Sequence, residues 1–163
     1  MKNNYFKLLL LEEELKKKGQ SLPQNKLDEL IKYKGQFPQD LTDEFIAYQY
    51  HLMDHFNWKR KKNFIQVMRD FLESKITLDE YIDQFLQIEK QIEEERKKVI
   101  SDFEILKTFE PDERSFGFAN SILNLRSDIR LLEEDDSVRT PSEVSPKELI
   151  SGIRQFLPRM EEY

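Results

Sequence analysis

A chain of 163 residues, 36% of them charged and 38% apolar, with a net charge of −6, has room for one domain or a small domain with a helical extension. The absence of cysteine excludes a disulfide framework, a thiolate zinc site and a cysteine nucleophile, and points to the cytoplasm. Four glycines, none in a phosphate-cradling loop, exclude most nucleotide enzymes, and the longest apolar run, Leu8 to Leu11, is far too short for a membrane span or a signal core.

In chain order, Tyr5, Leu8, Leu11 and Leu15 recur at helical spacing within 4–18, with Lys16 to Lys18 complementing the helix dipole and Gly19 as the stop. Ser21, three residues before Gln24, is a candidate cap for a second helix. That helix runs to about Lys34, buries Leu27, Leu30 and Ile31, and is ended by Gly35 and Pro38. Asp40 or Thr42 caps a third helix presenting Phe45, Tyr48, Leu52 and Phe56. A fourth amphipathic stretch, Trp58 to Glu73, presents Phe64, Ile65, Met68, Phe71 and Leu72, with no proline or glycine to mark where it separates from the third. Thr77 and Glu80 form a capping box that opens a helix at Leu78. Its stripe of Tyr81, Ile82, Phe85, Ile88 and Ile92 resumes at Val99, Phe103 and Leu106, which reads as one long helix. The stretch 115–132 brings Phe118, Ile122, Leu125, Ile129 and Leu132 to one face. After a polar loop, Ser145-Pro146-Lys147-Glu148 is a cap, a proline at the first helical position and a glutamate at the third. The last helix carries Leu149, Ile150, Ile153, Phe156 and Leu157, and Pro158 is expected to kink or close it. No alternating apolar–polar run occurs. The expected fold class is all-α.

Catalytic constellations are weak. His51 and His55 stand four apart, the spacing at which two imidazoles can meet one metal, yet no second His or Cys cluster supplies further ligands. No metal and no cofactor are expected. Trp58 followed by Lys59, Arg60, Lys61 and Lys62 has the look of a phosphate-binding patch, but a net charge of −6 opposes a polyanion, so direct nucleic-acid binding is disfavoured. Both histidines lie on one helix, with no nucleophile motif around any serine. The reading is a non-enzyme.

The acidic charge is concentrated. Twelve acids against six bases lie between Asp102 and Glu148, so that stretch carries the whole net charge. Glu133, Glu134, Asp135 and Asp136 are consecutive after a helix end, where the dipole disfavours them. A sequence that tolerates this can be using the charge to meet a basic partner; a solubilising loop is the plain alternative.

From about Lys61 to Tyr163 the chain resembles the colicin-D-type immunity proteins. Three features carry the resemblance: the helix end at Phe71-Leu72-Glu73-Ser74-Lys75-Ile76-Thr77 leading into Leu78-Asp79-Glu80-Tyr81-Ile82-Asp83-Gln84-Phe85; the segment from Ile122 to Ile129 leading to the acidic loop 133–139; and a capped last helix with Glu148-Leu149. The resemblance implies an antiparallel four-helix bundle over residues 57–163, with residues 1–56 as an N-terminal helical extension. It also implies an inhibitor that covers the basic cleft of a tRNA-cleaving nuclease toxin, the surface being Asp128 with Glu133, Glu134, Asp135 and Asp136. The other reading is a helical adaptor that binds a partner protein through its N-terminal helices.

Overall fold

The computed structural model describes residues 2–37 and 41–163. Among the described residues there are eight α-helices and no strand: α1 (Lys2–Lys17), α2 (Gln24–Lys34), α3 (Thr42–Lys59), α4 (Lys61–Leu72), α5 (Leu78–Ser101), α6 (Phe103–Thr108), α7 (Phe118–Arg130) and α8 (Pro146–Glu162). Among those residues no helix is long and apolar enough to cross a membrane. Contacts divide the chain into two compact units, one of Met1–Leu52 with Glu93–Pro111, the other of Met53–Ile92 with Asp112–Tyr163.

In the first unit, Leu8 and Leu11 of α1 pack with Leu22, Leu30 of α2 and Leu106 of α6, and Val99 and Phe103 lie against the same cluster. The α1 helix ends in a Schellman turn: Gly19 is left-handed at φ 68, and Gln20 N–H donates to Leu15 C=O at 2.9 Å. More than the expected stripe of α1 is buried, since Phe6, Leu10 and the charged Lys7 are also inside. Lys7 is fully buried, and its Nζ donates to Lys107 C=O at 3.0 Å and Glu110 Oε1 at 2.9 Å. The Lys107 carbonyl belongs to the last turn of α6, where a cation is favoured.

Four local expectations fail here. Ser21 does not cap α2; Pro23 occupies that position without a side-chain bond. Ile31 stays 58% exposed, because α2 turns the Leu27–Leu30–Tyr33 edge inward and Ile31 follows Leu30 by about 100° around the axis. Thr42 lies inside α3, whose first bond runs from Phe45 N–H to Leu41 C=O; Asp40 and Pro38 fall outside the described residues. The long helix expected from 78 to 106 is broken at Asp102, whose carboxylate accepts from Glu104 N–H at 3.0 Å and caps α6.

In the second unit, α8 packs against both α4 and α7. Arg69 of α4 donates to Glu161 of α8 at 2.6 Å, Arg126 of α7 lies 3.2 Å from Glu89 of α5, and Phe64 meets Phe85 with ring centroids 5.1 Å apart. The α3 and α4 helices separate at Arg60, where Arg60 N–H turns back to Asn57 C=O. The Thr77–Glu80 box forms in both directions. The helix expected from Ser115 begins only at Phe118, because Asp112 first caps a 3-10 turn at Glu113–Ser115 and Gly117 (φ 84) then redirects the chain. Pro158 does not end α8, which continues to Glu162.

The cap of α8 is complete. Glu148 N–H donates to Ser145 Oγ, and Ser145 N–H donates to Glu148 Oε2 at 2.8 Å. Ser145→Ala is expected to cost about 1 kcal/mol, seen as a melting point lower by about 2–4 °C; an unchanged melt would mean that the cap does not hold this helix start.

Candidate functional site

The acidic loop between α7 and α8 is folded rather than loose. Its two ends are zipped by a bridge between Leu132 and Val144: Val144 N–H donates to Leu131 C=O at 2.7 Å and Glu133 N–H to Val144 C=O at 2.9 Å. Within the loop Asp135 organises a turn, accepting from Ser137 N–H at 2.9 Å and from the Ser137 hydroxyl at 2.7 Å. Asp135 N–H itself donates to Glu133 Oε1. A second turn closes where Thr140 N–H donates to Glu143 Oε2 and Glu143 N–H to Thr140 C=O at 3.1 Å. Asp and Ser drive such turns because a short side chain can replace a backbone acceptor.

These bonds favour the charged form of the acids that make them. Ser137 holds the Asp135 carboxyl below its ordinary range, the Thr140 backbone does the same for Glu143, and the Ser145 backbone for Glu148. Asp136 pairs with Arg139, whereas Glu134 is exposed. Residues 133–143 therefore present five carboxylates against one guanidinium on an ordered backbone.

Asp128 is placed differently. It would lie below the loop acids on one face if α7 continued to Glu133, but α7 stops at Arg130. Asp128 faces α8, where a methyl group on Gly152 would stand 3.1 Å from its Oδ2. It is half-buried, and burial first, then the neighbouring Glu148 charge, pushes its carboxyl above the ordinary range. No ion pair or hydrogen bond to the Asp128 carboxylate occurs among the described residues. Tyr81 shares this neighbourhood. Its ring is fully buried and stacks on Phe71 at 4.8 Å, its hydroxyl has no hydrogen-bond partner among the described residues, and burial, followed by the Asp128 charge, raises its pKa. The sequence pattern marks Tyr81 only as a core aromatic; the polar end becomes notable once the fold brings the Asp128 charge near it.

The remaining constellations are engaged locally. His55 Nδ1 accepts from Asp112 N–H at 2.9 Å, and Asp112, gripped by Arg114, is held at about 2. Arg114 in turn lies over the Trp58 ring at 5.0 Å. Among the described residues no group of three potential ligands surrounds the histidines. In the basic run, Lys61 Nζ donates to Glu161 C=O in the last turn of α8. The chain finds no match among family models, curated proteins or solved structures.

Proposed function

We propose that this protein is an immunity-type inhibitor, not an enzyme. It binds and blocks a basic, tRNA-cleaving nuclease in the cytoplasm through the acidic loop 133–136, with Asp128, turned toward α8, as a separate contact. The observation that carries this reading is the folded acidic loop, whose backbone turns are set by bonds within the chain and carry the carboxylates on a preformed frame. Fixed charge avoids the ordering cost of binding and steers a cationic cleft to its site. In the same reading α4, the first part of α5, α7 and α8 form the antiparallel four-helix bundle that the resemblance implies. The α4–α8 and α7–α8 packing and the Arg126–Glu89 pair support it.

A second reading has one observation in its favour. Ile46 and Tyr50 are four apart on α3 and remain 41% and 63% exposed, an apolar face suited to an adaptor that binds through its N-terminal helices.

Immobilised tRNA-cleaving nuclease domains of the colicin-D type distinguish the two. The wild-type protein is expected to bind at least one and to stop its tRNA cleavage, with association slowing steeply as ionic strength rises. Glu133→Gln, Glu134→Gln, Asp135→Asn and Asp136→Asn together are expected to slow association by roughly tenfold or more. If no nuclease is inhibited, or if Tyr50→Ala abolishes capture while the quadruple variant binds normally, the adaptor reading replaces this one.

A further inference from the structure

Away from the acidic loop, the second unit holds a cavity of about 270 Å³ at the turn between α4 and α5. Phe71 and Leu72 from the end of α4, Ile76 and Leu78 from the turn and the start of α5, and Ile150 from α8 form its apolar wall. Each of these five remains partly exposed, so the chain itself leaves the wall uncovered. Arg154, one helical turn beyond Ile150, lines the same cavity. Its guanidinium has no ion-pair or hydrogen-bond partner among the described residues. The acids at the end of α4 are already engaged, because Glu73 and Asp70 both pair with Lys75, at 2.6 and 3.3 Å.

A backbone observation points to the same place. Ser74 has φ 58, and it is the only described non-glycine residue with positive φ. It occupies the left-handed position of a Schellman turn, with Ser74 N–H donating to Phe71 C=O and Lys75 N–H to Asp70 C=O. The α1 helix ends in the same motif with Gly19 at that position, the residue that adopts it without strain. Here a strained serine lines the cavity instead, and strained backbone held at a cavity is a pointer to a ligand.

We infer that this cavity binds a small apolar monocarboxylate, with its hydrocarbon part against the Phe71–Leu78–Ile150 wall and its carboxylate on Arg154. A guanidinium offers a carboxylate two parallel donors, and the Ser74 hydroxyl can supply another. An inorganic anion would leave the apolar wall wet, and a neutral hydrocarbon would leave Arg154 unused. The volume admits a ligand on the order of ten heavy atoms, at the small end of ligand sites.

Titration of the full chain with octanoate, followed by calorimetry and by amide shifts, tests the inference. Octanoate is expected to bind saturably with a dissociation constant on the order of 0.1–1 mM and to shift the amides of Ser74, Ile76 and Arg154. Octanol and octylammonium should bind at least about tenfold more weakly, and Arg154→Gln should weaken octanoate by a similar factor. Ser74→Gly should weaken it a few-fold while raising the melting temperature, a combination that a purely structural serine would not give. Equal affinity for octanol and octanoate, indifference to Arg154→Gln with an unchanged melt, or no saturable binding would each overturn the proposal.

Discussion

Replacing Asp128 by alanine is expected to weaken binding of the nuclease partner by about 2–5 kcal/mol, chiefly through faster dissociation. The isolated protein should not lose stability with it. The two outcomes belong together because the Asp128 carboxylate is half-buried beside Glu148 with no ion-pair partner among the described residues. Desolvation makes its charge unfavourable in the free protein and valuable once a partner Lys or Arg reaches it. Asp128→Asn isolates the first effect. Since the folded-state pKa is raised, the native form loses stability relative to the unfolded chain as pH rises through that pKa. The asparagine variant should therefore be more stable than wild type at neutral pH. That advantage should vanish once the pH falls well below the ordinary aspartate pKa of about 3.9, where both states are protonated. Thermal melts at two pH values and dissociation kinetics on a nuclease surface read the two effects. An Asp128→Ala variant that dissociates at the wild-type rate removes this residue from the binding face, and one that melts markedly lower marks it as structural.

Glu110→Ala is expected to destabilise the fold by about 2–3 kcal/mol although Glu110 lies at the surface. Its carboxylate is the counter-charge of Lys7, whose side chain is buried completely. Truncation leaves an ammonium inside the first unit with, among the described residues, only the Lys107 carbonyl as acceptor. Lys7→Met has a different expected result, because an unbranched apolar side chain fills the same volume without a charge to desolvate. The double variant should therefore recover most of the stability lost in Glu110→Ala. Denaturant titrations of the two single variants and the double variant yield the coupling directly. Strict additivity would show that Lys7 and Glu110 do not depend on each other. Tyr48 offers an internal check, since burial and, to a lesser degree, the Glu110 charge raise its pKa; Glu110→Ala should lower its phenol titration.

Motifs that satisfy backbone groups within a few residues were legible in the chain. The Thr77–Glu80 and Ser145–Glu148 boxes and the Gly19 stop form because donor, acceptor and backbone freedom all lie within one turn of each other. Most apolar stripes were legible for a similar reason, since 3.6-residue periodicity selects Tyr81, Phe85, Ile88 and Ile92 whatever covers them. Candidate caps at Ser21 and Thr42 were not decided this way. A serine or threonine near a helix start caps it only if the chain enters at the right residue, and that entry depends on packing. The break at Asp102 was hidden because the stripe from Ile92 through Val99 and Phe103 to Leu106 keeps its phase across it.

The sequence by itself determined an all-helical chain, most helix faces, and a concentration of negative charge between Asp102 and Glu148. All of these follow from local spacing and composition. Only tertiary structure decided which helices share a core. Residues 1–56 and 57–163 divide the chain by resemblance, yet Val99, Phe103 and Leu106 pack with Leu8, Leu11 and Leu30 of the N-terminal helices. Apolar stripes are interchangeable at the level of pattern, and shape complementarity selects among them. The candidate site divides in the same way. The acids at 133–136 could be read from the chain, but the zipped loop depends on Leu131 and Leu132 meeting Val144, and the exposed Arg154 joins the apolar turn only because α8 lies beside the end of α4. Bonds and cavities of this kind need residues brought together from separate helices, and pairings over that separation leave no periodicity in the sequence.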